Sequence, residues 1–405
     1  MRTLYTVLLR FALPFLLVRL WWRGRTEPGY REAVPERLGI YRIERPARLV
    51  WIHAVSVGEA RAAAPLVRAL AGALPDHRIL MTCTTAAGRA TIKELYGESV
   101  LVAYLPYDFP ESAQSFVEYF RPSLGVLMET EIWPNLLTQC EQHGVPVLLA
   151  NARLSVKSAH GYRRLRPLAR PAFASLAAVC AQSAADAERL RRVGARAVEV
   201  TGNLKFDVEP DAGQVAAGRA WREALARQVI LLASTREGEE RMLLQAAPRG
   251  ALVVVVPRHP RRFDEVGELA QSRRSRQPTP TFGDRVHLGD SMGEMAFYYG
   301  AADVAVIGGS FAPLGGQNLL EALAVGTPVI VGPHMYNFAE ATELALAAGA
   351  ALQVADAAAA MGMAARLLGD DHGRRRMREA GRKLCAAHRG ATARHLATCR
   401  RLLRL

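Results

Sequence analysis

The chain has 405 residues, which at about 150 residues per domain means two or three domains. Half of the residues are hydrophobic and 22% are charged, which excludes a disordered chain and leaves material for a sizeable core in each domain. The net charge of +14 is concentrated at the ends: residues 1–50 hold ten basic and four acidic residues, 370–405 hold eleven and three, and 51–369 balance at 31 of each. Five widely spaced cysteines (Cys83, Cys140, Cys180, Cys385, Cys399) form no Cys-x-x-Cys pair, which argues against a disulfide framework or a zinc cluster and for a reducing compartment.

Basic ends suit nucleic acid or an anionic membrane surface, and the N-terminus favours the membrane. Residues 4–22 read LYTVLLRFALPFLLVRLWW, apolar apart from Thr6, Arg10 and Arg19. A spanning helix wants about 20 apolar residues, so two arginines and Pro14 count against a full span. No small-residue cleavage site follows, which counts against a removable signal peptide. Tryptophans 21 and 22 among Arg19, Arg23 and Arg25 are the mixture expected at a lipid headgroup layer. The reading is an interfacial or shallowly inserted anchor over residues 1–25, ahead of a full span or a buried core helix, with Arg23 and Arg25 keeping the body on the cytoplasmic side.

From residue 48 short β-branched runs alternate with helical periodicity. The runs fall at 49–56, 79–85, 100–106, 124–129, 145–153, 177–183 and 197–203, then at 229–235, 251–258, 286–290, 304–310 and 328–333. Helices are expected between them, for instance over 59–74 and 184–193. Near-continuous apolar strands between helices imply parallel sheets covered on both faces. The expected fold class is α/β, with two doubly wound Rossmann-like domains, 26–207 and 229–369, facing each other across a cleft. A linker is expected at 208–228, where PDAGQVAAG interrupts the rhythm. Segment 272–282 reads as a surface loop.

Ligands of doubly wound sheets bind beyond the carboxyl ends of the strands, so the motifs there carry the chemistry. Segment 308–321 (GGSFAPLGGQNLLE) ends a strand in Gly308-Gly309-Ser310 and opens a helix after Gly315-Gly316. Glycines admit an anion to backbone N–H groups and a helix start adds about +0.5 charge, which suits a phosphate. Asn318 lies at that helix start, and Glu321, a turn further on, could reach ribose hydroxyls; a flexible turn with a surface glutamate is the bland account. Met292, Gly293 and Glu294 could read a base edge, against a simple cap by Asp290 or Ser291. Arg258 and His259 offer cations to a phosphate, against a solvated loop.

Ser56-Val57-Gly58-Glu59 has two equal readings. It is a capping box, and it is also a carboxylate kept ionised by a helix start, able to act as a base, behind a glycine that leaves room for a substrate. Glu129 and Glu131 stand two apart after a strand, one of them expected to cap the next helix. Lys205, one of four lysines in the chain, sits at the domain junction as a possible point-charge contact. No Asp-x-Asp triplet, zinc spacing or Gly-x-Ser-x-Gly elbow occurs. Without a visible metal site, cations and helix dipoles would carry leaving-group charge, which favours a two-domain, metal-independent glycosyltransferase.

These motifs resemble the 3-deoxy-D-manno-octulosonic acid (Kdo) transferases of lipopolysaccharide synthesis. The matching pieces are ERLG (36–39), WIHAVSVGE (51–59), METEIWPN (128–135), NARLS (151–155), TGNLKFD (201–207), ASTREGEE (233–240), PRHP (257–260), DSMGE (290–294), segment 308–321 and GPHMYNF (332–338). They run in order along essentially the whole chain. The resemblance implies a GT-B fold, CMP-Kdo as donor, a lipid A precursor (lipid IVA) as acceptor, and an N-terminal anchor at the cytoplasmic face of the inner membrane. It implies Glu59 as general base of an inverting, metal-independent transfer to a primary hydroxyl (6′), with no cofactor and no nucleic acid partner.

On the donor side it implies Gly308, Gly309, Ser310, Gly316, Asn318 and Glu321 around CMP, with Met292, Gly293 and Glu294 facing cytosine. Arg258, His259, Arg236 and Lys205 become candidates for the phosphate or the Kdo carboxylate, and Ser56, Gly58, Glu129 and Glu131 lie on the acceptor side. GT-B chains commonly return their last helix to the first domain, so residues 370–405 are expected to pack back there, beside the anchor. One departure is Gln317, where many members have histidine; it removes an imidazole contact to phosphate and is not expected to change the reaction. The rival readings are a GT-B enzyme using a UDP-sugar and, remotely, a non-catalytic protein binding membrane or nucleic acid through its basic ends.

Overall fold

A computed structural model describes all 405 residues, which divide into two compact units: 1–207 with 389–405, and 208–388. The first is built on seven parallel strands: β1 Leu49–His53, β2 Arg78–Cys83, β3 Val100–Tyr104, β4 Leu124–Met128, β5 Val147–Ala152, β6 Ala178–Ala181 and β7 Val198–Val200. Their order across the sheet is β3-β2-β1-β4-β5-β6-β7. Side chains alternate between two cores. Trp51, Leu80, Leu127 and Leu149 meet Phe116 and Phe173 on one face; Val50, Ile52, Met81 and Val126 meet Leu66 and Leu70 on the other. Burial on both faces is why these strands read as unbroken apolar runs.

The second unit repeats the plan with β8 Val229–Thr235, β9 Leu252–Pro257, β10 Ser272–Arg273, β11 Val286–Leu288, β12 Val304–Ile307, β13 Val329–Val331 and β14 Ala351–Gln353. Its order is β10-β11-β9-β8-β12-β13-β14, all parallel. In both sheets the chain leaves the centre in opposite directions, between β1 and β4 and between β8 and β12. Such a switch point opens a crevice for ligand at the strands' carboxyl ends.

Three expectations change. The 208–228 linker is largely a helix, Ala212–Leu225, capped by Asp211, which accepts the Gln214 N–H at 2.8 Å. It packs on the helix Met295–Ala301. A Cβ at Gly218 would collide with the Phe297 carbonyl, and one at Gly300 with that of Val215, so the small residues that read as a breaker are the close-contact surface. The loop expected over 272–282 begins with the edge strand β10.

Residues 370–405 divide between the units. The helix Asp371–His388 stays in the second, where Arg382 donates to the Val325 carbonyl at 3.1 Å and Arg374 to the carbonyls ending the helix Ala357–Gly369. The helix Ala391–Leu403 belongs to the first unit, with Ala391 and Cys399 in its core.

The N-terminal segment is one helix, Arg2–Arg23, running through Pro14 without a break. Leu4, Leu8, Phe11, Phe15, Val18 and Trp22 recur at helical spacing and are all exposed. The other side is tied to the first unit: Asn135 donates to Thr6 Oγ1 at 3.0 Å, Arg2 to Thr138 Oγ1 at 2.6 Å, and Arg10 pairs with Glu111.

Candidate functional site

In the first unit the switch point gathers the segments that follow β1 and β4. Ser56 caps the helix Val57–Ala62, its Oγ 3.4 Å from the Glu59 N–H. The Glu59 carboxylate accepts from the Val55 N–H and from the Ser56 hydroxyl, both at 2.9 Å. The capping geometry therefore exists, and it fixes the carboxylate instead of consuming it. Burial overrides the helix start that is expected to keep Glu59 ionised. Burial pushes its carboxyl up to about 7, the like charges of Glu129 and Glu131 push the same way, and the Val55 N–H and Ser56 hydroxyl pull only partly against them. A carboxyl that titrates near neutrality can accept a proton from a hydroxyl and pass it on.

Gly58 is exposed, and a Cβ there would meet only Ser56 Oγ, at 3.8 Å. Nothing inside the protein demands glycine there. Glu129, just past β4, is left-handed (φ +57°), a conformation that costs a non-glycine residue about 1 kcal/mol or more and gathers at functional sites. Lys205 Nζ lies 3.7 Å from its carboxylate. Lys205 lies in the first unit, as the expected boundary at 207 has it, and Arg236 and Arg258 lie in the second. Burial raises the carboxyl of Glu131, and Glu129 adds to that. Neither glutamate caps the following helix, Pro134–Gln142; Asp108 does, accepting from the Asn135 and Leu136 N–H groups at 3.1 and 2.8 Å.

Two further residues here lie in the matching motifs but carry no role in the sequence reading. His53, at the end of β1, is fully buried, its Nδ1 2.9 Å from Thr82 Oγ1; burial pushes it down to about 3, so the ring is neutral. Asn151, near the end of β5, is buried and left-handed (φ +52°) where the β5–β6 register shifts. A polar residue closing an apolar run was the available signal for both.

The second unit brings its candidates to one sheet edge: Met292–Glu294 beyond β11, Arg258 and His259 beyond β9, Arg236 beyond β8, and Gly308–Ser310 beyond β12. Partial burial and the guanidinium groups of Arg258, Arg236 and Arg261 hold His259 below its ordinary value. That is a concentrated positive field, offset by Glu237, which pairs with Arg236 at 3.0 Å and Arg261 at 3.5 Å. Glu294 is engaged by Arg274 at 2.8 and 2.9 Å, whereas Met292 is exposed. Asp290 does not cap the next helix; it accepts from the Ser275 N–H at 2.9 Å and pairs with Arg273 at 3.0 Å.

The glycine loop differs most from expectation. Its N–H groups were to hold a phosphate, yet Glu239, wholly buried, accepts from Gly309 at 2.6 Å, Phe311 at 3.0 Å and Arg236 at 2.9 Å. Ser310 Oγ donates to the Ile307 carbonyl at 2.6 Å and accepts the Gly332 N–H at 2.8 Å. An internal carboxylate occupies this nest and locks the loop. A Cβ on Gly308 would lie 2.5 Å from Thr235 Cα, so glycine is needed for packing against β8. The helix starts at Leu320 rather than near Gln317 and is six residues long. Asn318 accepts the Leu320 N–H at 3.0 Å and donates to Glu321 at 2.9 Å, so it organises the helix start and orients the glutamate. Gly316 is left-handed (φ +75°), and its N–H donates to the Gly309 carbonyl at 2.7 Å, joining the two glycine pairs.

Residues 32–208 match the family model described as 3-Deoxy-D-manno-octulosonic-acid transferase (kdotransferase), and residues 283–384 match that of glycosyl transferases group 1. The chain is similar to the 3-deoxy-D-manno-octulosonic acid transferase of Bordetella pertussis, 47% identical with 98% of each chain covered. It is 35% identical to that of Haemophilus influenzae, covering 98% of this chain and 97% of the relative. Among solved structures, a glycosyltransferase from Rickettsia africae superposes with a TM-score of 0.57 at 13% identity, covering 88% of this chain and 99% of that one. Anabaena HepE, solved with UDP, gives 0.55 at 15%, covering 88% and 100%. At these identities the likeness is one of fold, the GT-B arrangement of two parallel α/β units. A match to the Kdo transferases along the full chain, on that fold, makes this protein a glycosyltransferase and a member of the Kdo transferase family.

Proposed function

We propose that the protein moves Kdo from CMP-Kdo to the 6′-hydroxyl of the lipid A precursor lipid IVA, with inversion and without a metal, and that Glu59 is the general base. The observation that carries this is a carboxyl at the first unit's switch point, fixed by two hydrogen bonds and titrating at about 7. Glu59 takes the hydroxyl proton as that oxygen bonds to the anomeric carbon. The bond from that carbon to the phosphate oxygen breaks, and CMP leaves with the electron pair. Arg236, Arg258 and His259 are the groups suited to the leaving phosphate or the Kdo carboxylate, since Glu239 already fills the Gly309 nest. Met292 and Gly293 remain candidates for the cytosine and Glu321 for the ribose.

Work at the cytoplasmic face of the inner membrane is supported by the exposed apolar stripe of the N-terminal helix, in which an 18-residue stretch reaches a mean hydropathy of 1.6. Its side-on ties to the first unit favour a helix lying in the interface over one that spans. Mass spectrometry of lipid IVA after incubation with CMP-Kdo tests the reaction. A mass increase by whole Kdo units is expected. No addition from CMP-Kdo, with addition from a UDP-sugar, would replace this reading.

A further inference from the structure

We infer that His395, on the chain's last helix, is a positioning residue for the first unit's site: it holds the left-handed Asn151 and, through it, the Lys205–Glu129 pair. This rests on the reading of that site as the acceptor side.

At Asn151 the β5–β6 register shifts, and His395 Nε2 takes the Asn151 N–H at 2.9 Å. Its Nδ1 lies 2.7 Å from the Ala391 carbonyl, so the proton sits on Nδ1 and Nε2 presents the lone pair. His395 is fully buried, which holds the ring neutral, as this role requires.

From Asn151 the bonds continue in one direction. Its carbonyl accepts from Gln182 Nε2 at 2.8 Å, and its Oδ1 accepts the Leu204 N–H at 3.0 Å. Gln182 Oε1 accepts from Asn203 at 3.1 Å, and Asn203 Oδ1 accepts the Lys205 N–H at 3.0 Å. Asp207 then accepts the N–H groups of Gly390 and Thr392, returning to the helix that carries His395. Lys205, inside this ring, points its ammonium at Glu129, 3.7 Å away, and Glu129 is one of the two charges acting on Glu59.

Docking the helix does not require this polarity, because Ala391 and Cys399 already bury its apolar side. A hydrogen-bond network that is buried around Asn151 and closed through the chain from Lys205 to Asp207 has one geometry, and it fixes a backbone turn more tightly than apolar packing does.

The test compares His395→Leu, which keeps volume without the acceptor, with His395→Gln, whose Oε1 can accept the Asn151 N–H. Transfer from CMP-Kdo to lipid IVA and CMP binding are measured on folded protein. The Leu variant is expected to lose roughly ten- to a hundredfold in kcat, the scale of a small misplacement, with CMP affinity unchanged; the Gln variant should stay within about threefold. Wild-type kcat in a folded Leu variant, or an equal loss in the Gln variant, overturns the inference. Should the Leu variant not fold, Gln182→Leu cuts the same ring and must show the same loss, wild-type kcat again being the contradiction. Glu59→Gln run alongside separates the failures: active His395→Leu with dead Glu59→Gln rejects only the ring, whereas active Glu59→Gln rejects the site itself.

Discussion

At Glu59 the capping geometry and the proposed role as base, which the sequence presents as alternatives, are compatible. The bonds from Val55 and Ser56 stabilise its charge, and burial beside Glu129 and Glu131 opposes it more strongly, so the balance falls at about 7. The base form is the charged one, so kcat/KM should rise with pH through about 7 and fall nearly tenfold per unit well below it. Glu129→Gln removes one like charge, which favours the carboxylate. The acid limb of the pH–rate profile should therefore move to lower pH, and an unmoved limb would detach Glu129 from Glu59. The same shift opposes stability. The unfolded chain loses this proton near 4.5 while the fold holds it to about 7, so the contribution of Glu59 to stability declines as pH rises across that window.

The alternation of apolar runs with helices placed most strands, because burial on both faces leaves a continuous signal. The short β10 and β14 were not legible, being two and three residues long with polar positions. The helix Ala212–Leu225 was hidden for a different reason. Gly218 and the alanines beside it look like a break, but they are small because another helix crosses there. Site legibility followed the same division. Glu59, Glu129, Lys205, Arg258 and the glycine loop stood out as chemistry-bearing residues at strand ends. Glu239 and His395 did not, because their roles depend on backbone groups 70 and 244 positions away at Gly309 and Asn151. No local pattern encodes such a pairing.

The division of the chain also relocates its charge. The first unit holds 32 basic and 18 acidic residues, a net +14, and the second holds 20 of each. The whole excess lies in the unit that carries the apolar N-terminal helix, although the basic helix Asp371–His388 does not belong to it. No acidic residue occurs between Glu141 and Asp186, and Arg163, Arg164 and Arg166 are exposed within that stretch. Changing these three to glutamine should weaken binding to vesicles containing anionic lipid by about 1 kcal/mol each, close to fivefold per residue, with CMP affinity unchanged. Loss of CMP binding instead would contradict this separation of roles. In the proposed mechanism a single carboxyl in this positively charged unit takes the acceptor's proton. Its most direct test is the transfer rate of Glu59→Gln from CMP-Kdo to lipid IVA, at saturating substrates, in protein that folds and binds CMP as the wild type does. A fall of about a hundredfold to ten-thousandfold, the usual worth of a general base, is expected; a rate near that of the wild type would remove Glu59 from that role.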